Sequence, residues 1–417
     1  MALIFLHLGH FIILVLIAVK AYKVWAVGSL KSVFFPALIL KLSAGILLGI
    51  IFKYYYSHGD TWALFEESVA LAGQGYENPW LYFKGLLISD YTPNLQSELN
   101  FLEQPRALLA AKIVSVISLV TNCNYWLVAL YLSLFSFIGF WLLAQQLVKH
   151  FPMTKWASAV AFLFLPSVVF WSAGVSKESI VMGAMCIVLA LLLPWLVNNE
   201  KLRIGQWVVV ALGLLVLVGI KYYYAAILIP ILLGVIMVSW LPFHPMKKVL
   251  SALAVLCLLF FVASWLHPNL QLSRILHVAV TNGQELVSKT SGQGFVTFYN
   301  LAPSFKSVAL NFPWAVASGF FRPVLWEAET LFQLWIGLEN TVLLVLSFAH
   351  IIYWRKVNFD ILLVASLLYI VLLAGFLAIS APNFGTLVRY KIGFWPFLVY
   401  IIIAYNPWLK KRKVFAQ

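Results

Sequence analysis

The chain has 417 residues, 63% of them hydrophobic and 10% charged, with a mean hydropathy of +0.95 and a formal net charge of +14. Soluble domains carry roughly 45–50% apolar and about 25% charged residues, so a soluble enzyme, a disordered chain and a fibre are all excluded. Continuous apolar runs of about twenty residues also exclude a transmembrane β-barrel, whose strands alternate over segments of about ten. The composition reads as an all-α polytopic membrane protein.

Taken in chain order, apolar runs of spanning length cover 2–19, 33–56, 125–148, 156–173, 179–197, 204–220, 224–241, 248–266, 331–353, 361–380 and 388–407. These predict about eleven transmembrane helices. The first run has no basic stretch before it and no small-residue cleavage site, so it reads as a span and not as a signal peptide. A further stretch, 107–120, is short and carries Lys112; it is predicted not to cross. With that choice the basic breaks Lys20/Lys23/Lys31, Lys149/Lys155, Lys201/Arg203, Lys247/Lys248, Arg355/Lys356 and Lys410–Lys413 fall on one side, the cytoplasmic one. The N-terminus and two long hydrophilic segments, 57–106 and 267–330, are then outside. Basic residues distributed in this way give no footprint for nucleic acid. Cys123, Cys186 and Cys257 are scattered and show no disulfide or zinc spacing.

Half of the acids lie in the first outer segment: Asp60, Glu66, Glu67, Glu77, Asp90, Glu98 and Glu103. Asp60 follows a span ending in KYYYSHGD and opens DTWALFEESVALAGQG. There Trp62, Phe65, Val69 and Ala72 recur at helical steps, predicting an amphipathic helix on the membrane surface. Asp60 would be its N-cap, and Gly73 or Gly75 its end. The same Asp60 would also hold a carboxylate at the membrane–water boundary, with His58 beside it, and both readings stay open.

The segment PSVVFWSAGVSKES, 166–179, places Ser176 as a cap and Lys177 and Glu178 at a helix start. Lys177 does not suit ordinary capping, because a cation is disfavoured at a helix N-terminus. Backbone N–H groups with a lysine make an anion site. FFRPVLWEAETLFQLWIGLEN, 320–340, brings Arg322, Glu327 and Glu329 to a boundary and Glu339 inside a span. TLVRYKIGFWPF carries Arg389 and Lys391, for which snorkelling cations are the plain alternative. No nucleotide-binding, hydrolase or Cys/His metal motif is present.

HGDTWALF, PSVVFWSAGVSKES, FRPVLWE and RYKIGFWPF, set in this plan of spans and outer segments, resemble the GT-C superfamily of integral-membrane glycosyltransferases. The resemblance implies one transmembrane domain: an extra N-terminal helix (1–32), a core (33–266) with its first outer loop (57–106), a second outer loop (267–330) and C-terminal helices (331–417). It implies a sugar moved from a polyprenyl-phosphate carrier to a hydroxyl of a glycan, lipid or protein acceptor, outside a bacterial inner membrane. Asp60 would be the general base. Lys177, Arg322, Arg389 and Lys391 would face the phosphate, with Glu178 and Glu327 orienting them. No Asp-Glu or Asp-x-Asp pair follows the first core span, so a divalent metal is not specified. A polysaccharide polymerase or ligase, a flippase for a lipid-linked solute and a non-catalytic assembly partner are the rivals.

Overall fold

The computed structural model describes residues 2–56, 59–239, 241–266, 268–289, 294–353 and 360–410. Among them all regular structure is helical, with one isolated bridge pairing Phe295 and Asn383. The helices fall into two compact units, Met1–Tyr222 and Tyr223–Gln417. The first holds α1 (Ala2–Trp25), α2 (Phe34–Tyr54), α3 (Asp60–Glu77), α4 (Pro79–Ile88), α5 (Pro93–Glu98), α6 (Pro105–Val120), α7 (Tyr125–His150), α8 (Lys155–Ala159), α9 (Pro166–Trp171), α10 (Lys177–Asn198) and α11 (Ile204–Ile220). The chain continues through α12 (Tyr222–Ser239), α13 (Pro245–Leu266), α14 (Leu272–Lys289), α15 (Phe305–Phe321), α16 (Leu331–Tyr353), α17 (Ile361–Ser380), α18 (Phe384–Tyr390), α19 (Trp395–Ala404) and α20 (Pro407–Lys410).

Six helices among the described residues are long and apolar enough to span a membrane: Phe5–Trp25, Gly28–Tyr54, Tyr125–His150, Lys177–Asn198, Tyr222–Ser239 and Ile361–Ser380. The pair Phe384–Gly393 and Trp395–Ala404, bent by 67°, brings the number to seven if it counts as one broken span. The predicted run 204–220 forms a helix of only 17 residues. The predicted run 156–173 is not one helix: α8 passes into a π-helical stretch, Val160–Phe164, and Leu165 turns extended before Pro166. Proline supplies no N–H and pushes its predecessor out of the helical region, so the break is local chemistry.

In the first unit, Gly45 and Gly49 of α2 face Ser133 and Tyr125 of α7, so these helices run antiparallel. Gly139 of α7 meets Gly183 of α10, and His150 lies beside Asn198, so α7 and α10 run parallel. The indole of Trp141 donates to the Trp25 carbonyl, and Lys149 pairs with Glu200. Lys149, Lys155, Lys201 and Arg203 are thereby gathered at the end of this unit where α1 leaves and α2 enters. The opposite end carries the start of α7, the first turns of α3 and α10, and the end of α11.

Across that second end lie α3, α4 and α6. Their contacts are Ser68 to Ser118 (2.9 Å), Tyr82 to Ser115 (2.9 Å) and the Tyr76 hydroxyl to the Leu119 carbonyl (2.6 Å). Helix α6, 16 residues long, is outside the set of span-length helices among the described residues.

In the second unit, α15 occupies part of what the sequence predicts as outer loop. Val308, Ala315 and Gly319 pack on Ala378, Ile379 and Ala374 of α17, so α15 runs antiparallel down the latter half of that span. Its apolar composition drives this burial: Gly319 has no side chain to hold it off the Ala374 carbonyl. The α18–α19 break also lies alongside the middle of α17, where Tyr369 donates to the Gly393 carbonyl (3.1 Å). Pro396 in the first turn of α19 stops the helix from continuing.

Candidate functional site

Asp60 is exposed and occupies the first helical position of α3; the N-cap is Gly59, not Asp60. Gly59 takes the extended conformation, and its carbonyl receives the N–H groups of Trp62 and Ala63. Asp60 nevertheless sits in the first turn, where the helix dipole favours a carboxylate. His58 lies outside the described residues. The start of α3 is fixed from below: Trp62 stacks on Tyr125 at 3.9 Å, its indole donates to the Gly49 carbonyl, and Thr61 bonds the Tyr125 hydroxyl at 2.7 Å.

The rest of α3 departs from the predicted surface helix. Leu64, Phe65, Glu67, Ser68, Leu71, Ala72 and Gly75 are buried against neighbouring helices, and the helix continues to Glu77. Gly75 serves close packing against Leu119 and Tyr82, and the chain turns at Asn78, which caps α4. Glu67, only 2% exposed, accepts the backbone N–H groups of Asn100 (2.9 Å) and Phe101 (2.8 Å). It thereby fixes the Phe101 ring, over which the Lys177 ammonium lies at 5.6 Å.

Ser176 caps α10 as the sequence predicts, accepting from the Ser179 N–H at 3.0 Å. Its level is set by the preceding turn, where the Gly174 N–H donates to Ser133, two turns inside α7. Lys177 opens α10 and is half-buried. Glu178, at 1% side-chain exposure, pairs with buried Lys221 at 3.0 Å. Asp60 and Lys177 therefore share one end of the first unit, and Glu178 belongs to the join between α10 and α11.

The second unit brings Arg322, Glu327 and Lys391 into one polar network. The Arg322 Nε donates to Glu327 Oε1 at 2.7 Å, and the guanidinium lies 5.6 Å from the Trp314 ring and 5.0 Å from the Phe384 ring. Glu327 also accepts the Val324 N–H, which explains its place in the short turn Leu325–Glu327. The next carbonyl, that of Pro323, accepts from the amide of Asn340 at 2.7 Å. The same amide's oxygen accepts from the Lys391 ammonium at 2.6 Å, and that ammonium lies 3.8 Å from the Trp395 ring. The Trp395 indole donates to Glu339 at 2.8 Å.

Lys391 is 0% exposed and braces the turn through the Asn340 amide. Arg389 is half-buried in α18. The sequence places Glu339 inside a span but gives no role to Trp395 or Glu67. The position of Glu67 on the Leu64–Leu71 face was the available signal.

Among the described residues, no group of three or more His, Cys, Asp or Glu side chains could hold a metal ion. No protein family, no curated protein and no solved structure matches this chain.

Proposed function

We propose that the chain is a membrane glycosyltransferase, moving a sugar from a polyprenyl-phosphate carrier to an acceptor hydroxyl on the outer face of a bacterial inner membrane. The observation that supports it is the common end of the first unit shared by exposed Asp60 and half-buried Lys177. In the reaction, the acceptor oxygen attacks the anomeric carbon as the bond from that carbon to the phosphate oxygen breaks. Asp60 takes the hydroxyl proton. Lys177 stabilises the departing lipid phosphate as a point charge. In this reading α8–α9, α11, α13, α16 and the bent α18–α19 pair complete about eleven crossings.

Asp60→Asn is the test. Asparagine keeps the shape of the side chain and suits a helix start, so folding is retained. Transfer in proteoliposomes supplied with lipid-linked sugars from the source cells should fall on the order of 10²–10⁴-fold. Wild-type transfer by the variant would remove Asp60 from the chemistry.

A flippase for a lipid-linked solute is favoured by a different observation. Ionisable groups sit beside broken helices inside the second unit, an arrangement that transporters use at their binding sites. Movement of lipid-linked sugar across proteoliposomes that is unaffected by Asp60→Asn, with no sugar passed to an acceptor, would select it.

A further inference from the structure

Helix α4 presents a surface that the packing of the first unit leaves uncovered. Trp80 is 69% exposed, Phe83 57%, Leu87 83% and Ile88 69%, at the i, i+3, i+7 and i+8 spacing of one helix face. Half-buried Lys84 completes the stripe at i+4. The other face is accounted for: Tyr82 is buried and bonds Ser115, and Gly85 lies against the Tyr91 ring.

Two hydrogen bonds place the start of α4 beside the bilayer. His10, inside the candidate span Phe5–Trp25, bonds the Val120 carbonyl at 2.9 Å. One residue earlier, the Leu119 carbonyl receives the Tyr76 hydroxyl, two residues before the Asn78 turn that opens α4. The α3–α4 corner is thus tied to backbone at the depth of a span's first turns. Leu8, Phe11 and Ile12 of α1, exposed on that same span, belong to the surface that faces lipid.

We infer that α4 lies in the headgroup–acyl boundary of the leaflet at this end, with Trp80, Phe83, Leu87 and Ile88 dipped into lipid and Lys84 reaching a lipid phosphate. Tryptophan belongs at that depth, and a lysine can lay its stem along apolar surface while its ammonium stays in the headgroups. A short amphipathic helix with an aromatic and aliphatic face and a flanking cation has the composition for this placement. The amphipathic surface helix expected of α3 is therefore supplied by α4, and α3 is the packed layer behind it. The inference is independent of the transferase reading.

The test is spin-label accessibility in the full-length protein, in nanodiscs of phosphatidylcholine and phosphatidylglycerol. With Cys123 and Cys257 replaced by serine and buried Cys186 left in place, Leu87→Cys, Ile88→Cys and Ser97→Cys each carry one nitroxide. Ser97, exposed on α5, is the aqueous reference. At Leu87 and Ile88 the ratio of collisions with dioxygen to those with a water-soluble nickel chelate should exceed that at Ser97 several-fold. A ratio equal to that of Ser97 would place the stripe in water and overturn the inference. An immobilised spectrum with both collision rates suppressed would place a protein surface there, and would overturn it equally.

Discussion

At the scale of single residues, the charged groups of the first unit divide by what they touch. Asp60 is exposed, Glu67 accepts two backbone N–H groups and Glu178 pairs with Lys221. Lys112 is the least expected of these, a buried cation donating to the Leu86 carbonyl (3.0 Å) and the Ser89 hydroxyl (2.8 Å) at the end of α4. Burial holds its pKa below the ordinary 10.5. The unfolded chain then binds that proton more tightly than the folded one, so stability rises with pH across the interval below 10.5. Melting temperature in detergent should climb as pH rises towards 10.5 by more in the wild type than in Lys112→Met. Equal slopes would show that Lys112 contributes nothing to the rise.

At the scale of elements, glycine sets how closely α7 and α10 approach. A methyl group on Gly139 would stand 2.4 Å from the Gly183 carbonyl oxygen, whereas one on Gly9 would meet nothing within 4 Å. Gly139→Ala should therefore lower stability by about 1–3 kcal/mol in detergent melts, the cost of overpacking. Gly9→Ala should be neutral or slightly stabilising, since alanine is the better helix former. Equal effects would mean that the α7–α10 contact is not the limiting one.

Helices α1, α2, α7, α10, α12 and α17 could be read from the sequence because each is long, continuously apolar and bounded by charge. Helix α15 could not, because its packing on α17 depends on a long-range match of small residues and not on length. The site was legible in the same uneven way. Ser176 followed from local capping chemistry. The partners of Glu178 and Lys391 are distant in sequence, and no spacing rule reaches them.

At the scale of the molecule, sidedness is the property to establish. The basic breaks of the first unit share one end, and α3, α5 and the start of α10 share the other. The positive-inside rule would make the first end cytoplasmic. A maleimide that cannot cross the membrane should label Ser97→Cys and Ser288→Cys in intact spheroplasts, and Glu200→Cys only after permeabilisation. The reverse pattern would invert the topology and remove the outer-face chemistry with it.

The amide of Asn340 serves two chain segments at once, with its nitrogen on the Pro323 carbonyl and its oxygen on Lys391. Such sharing has a genetic consequence. Lys391→Met alone strips an acceptor of its donor and should fail a growth or folding screen, because a buried polar group left unmet is costly. A second change, Asn340→Leu, removes that acceptor and should return as a suppressor, since apolar replacement of a whole buried polar pair is often tolerated. The Pro323 carbonyl, which loses its donor in the double variant, sets the ceiling on rescue. Recovery of Lys391→Met revertants without changes at position 340 would show that the two segments are inherited as separate parts.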